Sequence, residues 1–372
     1  MNKNRGSFYR WGLLFLLFWA FFFHQADRAI FGVVVTAIQE DLHLNDTQIG
    51  LTASVLFFML AIMVPVAGFA GDRISKKKLI TGSVIFWSLS TMLTGLSTGL
   101  WSLMTFRSVA TAGGESFYAP AATSLIAAYH KTTRSIALAI HQSSLYIGVI
   151  VSGFVAGWIA EHYGWRVTFC IFGGIGFLIG LSFIFLLHDA PTGQAAKELG
   201  LDVGHAMAAT EKTPTIAQTF KTLLSIPSVP LLTMGFIAIV FVNNAYVVWA
   251  PKFLAGKFGL DLTSAGGFSM FYHHIAALGA ILLGGVTTDA MVVRYPSFRV
   301  HLQWITMLLG VPVIYWMGMA PKLTDVYVMM FLFGALRGLY ETNTHASIFD
   351  VVQPQMRASI VGLIVMTAFL IG

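Results

Sequence analysis

Six charged side chains stand inside long apolar stretches of this chain of 372 residues: Asp27, Arg28, Arg107, Glu115, Arg337 and Glu341. On insertion scales each costs at least about 2.5 to 3.5 kcal/mol at the centre of a membrane-spanning helix, and less where it faces water or a partner. Three are acids and three are bases, so mutual neutralisation is open to them. Their types also suit two kinds of chemistry. A guanidinium stays charged and offers a planar fork to a carboxylate or phosphate. A carboxyl group deprived of hydration can load and release a proton near neutral pH.

Spacing limits which of the six can meet. Asp27 and Arg28 are neighbours, so on a helix their side chains diverge by about 100° and need not pair with each other. Arg107 and Glu115 are eight residues apart, about 80° on an ideal helix, an offset that a bulge at Gly113 and Gly114 can absorb. Arg337 and Glu341 are four apart and share one face, so an intrahelical pair is as open as a substrate role. Uncharged polar residues lie in the same kind of surroundings: His24, Gln25, Tyr118, His141, Gln142, Asn243, Asn244, Tyr246, Trp249, His273, His274 and Asn343. They can hold hydroxyl groups of a polyol, or simply bond helix to helix. His273 and His274 have no third ligand at helical spacing, so no metal site is expected.

The elements that must position these residues are membrane helices. The chain is 56% hydrophobic and 10% charged, where a soluble domain has about 25% charged residues. Apolar segments long enough to cross a bilayer occur at roughly 11-35, 47-71, 79-98, 100-128, 135-160, 166-187, 229-254, 264-288, 299-319, 325-350 and 358-372. The first is too long and too polar at its centre for a cleaved signal peptide. Fifteen Lys and Arg residues fall at the N-terminus or in every second loop, against four (Arg166, Lys252, Lys257 and Lys322) in the others. That asymmetry predicts a cytoplasmic N-terminus in a cytoplasmic (inner) membrane. It also disperses the net charge of +6, so no nucleic-acid face is expected.

A polar stretch at 188-228 separates six segments from five. The predicted organisation is therefore an N-terminal six-helix bundle at 1-187, a cytoplasmic linker at 188-228 and an incomplete C-terminal bundle of five helices at 229-372. Within the linker, Thr215 to Leu224 has the spacing of a short surface helix or a plain spacer. The two halves share a motif. Gly68 stands four residues before Asp72, and Gly285 four before Asp289, each at an expected cytoplasmic helix end and each followed by basic residues. Gly176-x-x-x-Gly180 should let helices approach closely. Cys170 is the single cysteine, so no disulfide framework is possible. GLSTG at 95 to 99 lacks the strand-turn-helix setting of a nucleophile elbow, and no Gly-Lys phosphate loop occurs. Neither enzyme activity nor a cofactor is expected.

The stretch GFAGDRISKKK resembles the signature loop of the major facilitator superfamily, with Gly68, Asp72 and Arg73 matching and Ser75 standing where many members have glycine. The resemblance implies an all-α integral membrane fold of two six-helix bundles with pseudo-twofold symmetry, this chain ending within the eleventh helix. It also implies that Gly68, Asp72 and Arg73, with Asp289, gate the cytoplasmic side. ADR at 26 to 28, LNDTQIGL at 44 to 51, RSVATAGGESFYAPAATSLIAAY at 107 to 129, RSIALAI at 134 to 140 and GWRVTF at 164 to 169 are similar to two branches. These are the anion:cation symporters of sugar acids and organic anions and the bacterial spinster-like transporters.

The resemblance implies alternating access, with Arg28 anchoring a small organic anion and Asp27 and Glu115 coupling its movement to protons. His24, Tyr118, Gln142, Asn243, Asn244, Trp249, Arg337 and Asn343 complete the expected substrate-binding set. Glu115 is the expected functional companion of Asp27. The protein is expected to act as a monomer with solute, protons and the lipid bilayer as its only partners. A spinster-like transporter of an amphipathic lipid is the alternative, and a solute sensor without flux is a third reading.

Overall fold

The computed structural model describes residues 3–130, 133–190, 225–353 and 357–372, without the side chains of 3–8, 68, 69, 71–73, 135 and 357–359. Among these residues the regular structure is entirely helical. It comprises α1 (Lys3–Val33), α2 (Val35–Leu42), α3 (Asp46–Arg73), α4 (Lys76–Thr94) and α5 (Leu100–Leu103), then a π-helix at Met104–Ala110, then α6 (Thr111–Tyr129), α7 (Arg134–Tyr163) and α8 (Trp165–Leu186). There follow α9 (Ser228–Phe258), α10 (Leu262–Val292), α11 (Phe298–Met319), α12 (Leu323–Val351) and α13 (Arg357–Ile371). Every apolar segment expected from the sequence coincides with one of these helices or, at 100-128, with the α5–π–α6 run. Among the described residues eight, namely α1, α3 and α7 to α12, are long and apolar enough to cross a membrane unaided. The linker expectation, including the helix at Thr215 to Leu224, falls mostly outside the described residues.

Contacts group the chain into two compact units, Met1–Val149 with Ile159–Lys212, and Ile150–Trp158 with Thr213–Gly372. In the first, α6 packs between α3 and α4, and α4 also packs on α8. In the second, α12 packs between α10 and α11. Thus α3, α4 and α6 have the same neighbour order as α10, α11 and α12, which is what a sequence repeat at Asp72 and Asp289 requires. The first unit's core joins Leu13, Leu17, Phe21, Trp87, Tyr118, Ile126 and Phe183. The second unit's core is built around Tyr246, Leu254, Met330 and Phe333, with a separate cluster of Ile348, Ile360 and Ile364.

Helix ends explain several of the quoted stretches. In LNDTQIGL, Asn45 accepts the Gln48 N–H while the Gln48 side chain accepts the Asn45 N–H, both at 2.9 Å, a reciprocal cap that starts α3. In GWRVTF, Gly164 has φ of +86°, a conformation that side chains resist, which lets α7 turn directly into α8. Arg166 in that stretch pairs with Asp41, donates to the Ser97 carbonyl at 2.8 Å and lies over the Trp165 ring. Its hydrogen bond holds the Asp41 carboxyl below the ordinary carboxylate range. Ser75, in place of the family's glycine, accepts the Lys78 N–H at 3.2 Å and begins α4. The carboxylate at this junction is Asp189, which accepts from Ser75 Oγ and, at 2.8 Å, from the Lys77 N–H. Asp72 was the acid that the signature suggested for this junction; its side chain lies outside the described atoms.

Glycines set the distance between α4 and α8. A Cβ on Gly176 would stand 2.5 Å from Ser88 Oγ, and one on Gly180 would stand 2.7 Å from Ile85 Cγ1. Gly173 is tighter against backbone, 2.7 Å from both the Met92 nitrogen and the Ser88 oxygen, whereas Gly174 faces open space. Gly173→Val should therefore cost about 1–3 kcal/mol through overpacking, read as a lowered melting temperature in detergent. Gly174→Val should melt close to the parent, and equal melting of the two variants would contradict the packing account.

Candidate functional site

Four of the six membrane-embedded charges meet inside the first unit. Arg28 Nε, on α1, donates to Glu115 Oε2, on α6, at 2.9 Å. Arg107 Nη1, from the π-helical run, lies 3.6 Å from Asp27 Oδ2, and its Nη2 donates to the Asp27 backbone oxygen at 3.3 Å. The pairs are crossed in sequence: each acid of one helix meets a base of another. Asp27 and Glu115, the expected functional companions, thus each have a guanidinium of their own. The cause is the angular divergence of adjacent helical residues, which sends Asp27 toward the π-helical run and Arg28 toward α6.

Arg107 belongs to this site, although the spacing left it off the list of expected binding residues. Its reach depends on the π-helix at Met104–Ala110. The wider turn supplies the offset that eight-residue spacing demands, and Thr111 Oγ1 accordingly donates to Phe106 O, five residues back, at 2.9 Å. The sequence placed that bulge at Gly113 and Gly114. Gly114 serves another purpose: a Cβ there would lie 2.9 Å from the Trp87 nitrogen and Cβ, so the glycine permits α6 to close on α4.

Exposure separates the four charges. Side-chain accessibility is 0% for Glu115 and 4% for both Asp27 and Arg107, but 25% for Arg28. Arg28 is thus the most accessible member of the four. Beside the Arg28–Glu115 pair, His24 lies in a cluster of aromatic and imidazole rings. His24 Nε2 lies 3.7 Å from Glu115 Oε2, and the Gln25 amide contacts His24 Nδ1 at 3.1 Å. Trp87 meets the His24 ring edge-on at 5.1 Å, and Phe21 stacks on His141 at 4.6 Å. Tyr118 is fully buried, donating to the Leu17 carbonyl at 2.8 Å and contacting His141 Nε2 at 3.2 Å. Its hydroxyl binds α1 to α6, a helix-helix role. Gln142 is exposed, apart from this cluster.

The second unit has its own polar cluster. Arg337 Nη2 pairs with Glu341 Oε2 at 3.1 Å, the intrahelical geometry their spacing allows, and Arg337 Nη1 contacts His273 Nε2 at 3.2 Å. Arg337 and Tyr340 line a cavity of about 170 Å³ whose walls are otherwise mostly apolar, including Ile239, Val242, Met307 and Phe333. Asn343 donates to the Leu339 carbonyl at 3.1 Å and approaches Thr288 Oγ1 at 3.5 Å, which joins α12 to α10. Asn243 and Asn244 on α9 are half-buried, as is Trp249, with Lys252 over its ring. At the end of α10, Asp289 accepts from Arg299 Nη2 at 2.9 Å, and Arg299 Nε lies 3.8 Å from Asp350. Arg299, one of the basic residues following Asp289, is therefore the partner of that motif carboxylate. Gly68, Asp72 and Arg73 form part of the last turns of α3, with side chains outside the described atoms.

Removing one member of a buried pair leaves a charge without compensation, at a cost of about 3–5 kcal/mol. Arg107→Met should therefore lower the melting temperature strongly, and Asp27→Asn added to it should recover most of the loss. A double variant no more stable than Arg107→Met alone would contradict the pairing.

Residues 17–372 match the family model described as Major Facilitator Superfamily. The uncharacterized transporter YybO of Bacillus subtilis (strain 168) is 24% identical over 297 residues, 78% of this chain and 68% of that protein. The protein named probable galactarate/D-glucarate transporter GarP, of Escherichia coli (strain K12), is 26% identical over 311 residues, 79% and 70% of the two chains. Protein spinster homolog 1 of Xenopus tropicalis is 26% identical over 253 residues, but this chain spans only 45% of its length. In fold, a bacterial homolog of the human lysosomal transporter spinster superposes with a TM-score of 0.80 at 22% identity, covering 98% of this chain and 80% of the other. A D-xylose–proton symporter superposes with a TM-score of 0.76 at 14% identity, over 97% and 88%. With a family match across nearly its whole length, and the helical membrane fold to go with it, this multi-pass chain belongs to the Major Facilitator Superfamily.

Proposed function

We propose that the protein is a secondary active transporter that carries a small organic anion, a sugar acid or related carboxylate, together with protons across the cytoplasmic membrane. It would work by alternating access, as a monomer with its N-terminus inside. The observation behind this reading is the asymmetry of the Arg28–Glu115 pair, whose guanidinium is 25% accessible while its carboxylate is sealed at 0%. An incoming carboxylate that takes the guanidinium leaves Glu115 buried without its cation, and protonation nearby removes that penalty. Anion binding and proton binding then favour each other, which is what symport requires. Asp27 stays paired with Arg107 through this exchange, and a proton-coupling role for it belongs to a separate step of the cycle. Similarity to relatives named as probable galactarate/D-glucarate transporters supports a sugar acid as the substrate.

The test uses proteoliposomes with an imposed proton gradient and radiolabelled D-glucarate. The parent protein should accumulate the anion. Glu115→Gln should bind and exchange it without accumulation, because Arg28 no longer has a charged competitor. Gradient-driven accumulation by Glu115→Gln would contradict the coupling role. A second reading, transport of an amphipathic lipid, rests on similarity to spinster homologs and on the apolar cavity that ends at Arg337. A melting-temperature screen separates the two: sugar acids should stabilise under the first, lysolipids under the second.

A further inference from the structure

His24 is buried, 3% accessible, and its Nε2 has no hydrogen bond. Its other nitrogen, Nδ1, receives the Gln25 amide nitrogen at 3.1 Å. With the Gln25 amide turned so that its NH₂ donates, Nδ1 supplies the lone pair and Nε2 carries the ring proton. That proton faces the Glu115 carboxylate at 3.7 Å, whose Oε2 already holds Arg28 at 2.9 Å and whose Oε1 is buried without a partner. The ring is held in place by Phe21 at 5.6 Å, Trp87 at 5.1 Å and Tyr118 at 5.9 Å.

We propose that His24 holds the coupling proton when an anion draws Arg28 away from Glu115, so that the imidazolium replaces the guanidinium as Glu115's counter-charge. The inference rests on the reading of the first unit as an anion site. One proton binds the Nδ1 lone pair; the Gln25 amide turns so that its oxygen accepts the new N–H; Nε2–H then faces Glu115. No other bond forms or breaks. Charge balances at each stage: Arg28 with Glu115 before, Arg28 with the anion and protonated His24 with Glu115 after. Residues facing this position are Arg28 from α1, Trp87 from α4, Glu115 and Tyr118 from α6, and His141 from α7, with the Asp27–Arg107 pair adjoining Glu115. Glu115 is the acid that His24 Nε2 faces. While Arg28 stays on Glu115 the carboxylate already has its cation; once Arg28 withdraws, His24 Nε2 is the nearest group to it that can supply one. This assigns His24 to proton handling, in place of the substrate contact expected from the sequence.

The ligand-free test is nitrogen NMR of ¹⁵N-histidine protein in nanodiscs, with His24→Phe identifying the His24 signals. In the parent at neutral pH, His24 should be neutral with its proton on Nε2. Arg28→Gln removes the cation as an anion would, and His24 should become doubly protonated there and neutral again in Arg28→Gln with Glu115→Gln. A neutral His24 in Arg28→Gln would overturn the proposal, and Arg28→Met gives the same comparison should Arg28→Gln fold poorly. With D-glucarate as probe, His24→Phe should weaken binding about tenfold at neutral pH and recover in acid, a change of pH profile that loss of packing alone would not produce. A parent protein that never binds D-glucarate would count against the sugar-acid reading, while the NMR comparison still decides the role of His24.

Discussion

A charge sealed in protein inside a membrane must keep a partner, and the first unit is organised by that demand. Asp27, Arg107 and Glu115 are nearly inaccessible, and Arg28 is only partly open. The low dielectric around them makes an unpaired member costly. Two crossed pairs meet the demand, and of their four members Arg28 is the most open. Because three helical segments supply the four groups, the same pairs fix how α1, α6 and the π-helical run lie against one another. The glycine at 114, pressed on Trp87, and the tyrosine at 118, bonded to Leu17, exist to let those segments come close enough.

The requirement also connects packing to transport. In the proposed cycle Arg28 is poised between the carboxylate it holds and an incoming anion, so that binding at one end of the guanidinium would be felt at the other. The energetic link needs no long route through the protein, since a shared partner couples two ligands directly. Phe21, Trp87 and Tyr118 pack around the His24 ring, whose Nε2 faces Glu115. The second unit has a different arrangement: Arg337 satisfies Glu341 within one helix, and its neighbour His273 comes from α10.

Much of the fold could be read from residues whose local rule does not depend on distant contacts. Apolar segments marked every described helix except the short α2. Gly176 and Gly180 marked a close crossing, and the Gly285–Asp289 pattern marked a helix end that proves to hold Arg299. The site was readable as a set of charged residues, and its wiring was not. That Arg107 meets Asp27 depends on a π-helical run whose position the sequence signalled only as an eight-residue mismatch, and the glycines drew attention to the wrong turn. Asp189 as the cap of α4 was hidden for a similar reason, since it lies 112 residues from its partner Lys77 and no periodicity links them. Tyr118, Asn343 and His24 show a further limit: a polar residue in a membrane helix looks the same in sequence whether it binds a solute, joins helices or handles a proton.

Competition between an anion and Glu115 for Arg28 is the centre of this account, and proton uptake on binding measures it most directly. Calorimetric titration of D-glucarate into the purified protein, repeated near neutral pH in buffers of different ionisation enthalpy, gives the number of protons taken up per anion bound. The account predicts about one proton per anion in the parent protein and none in Glu115→Gln. Anion binding by the parent with no linked proton would contradict it.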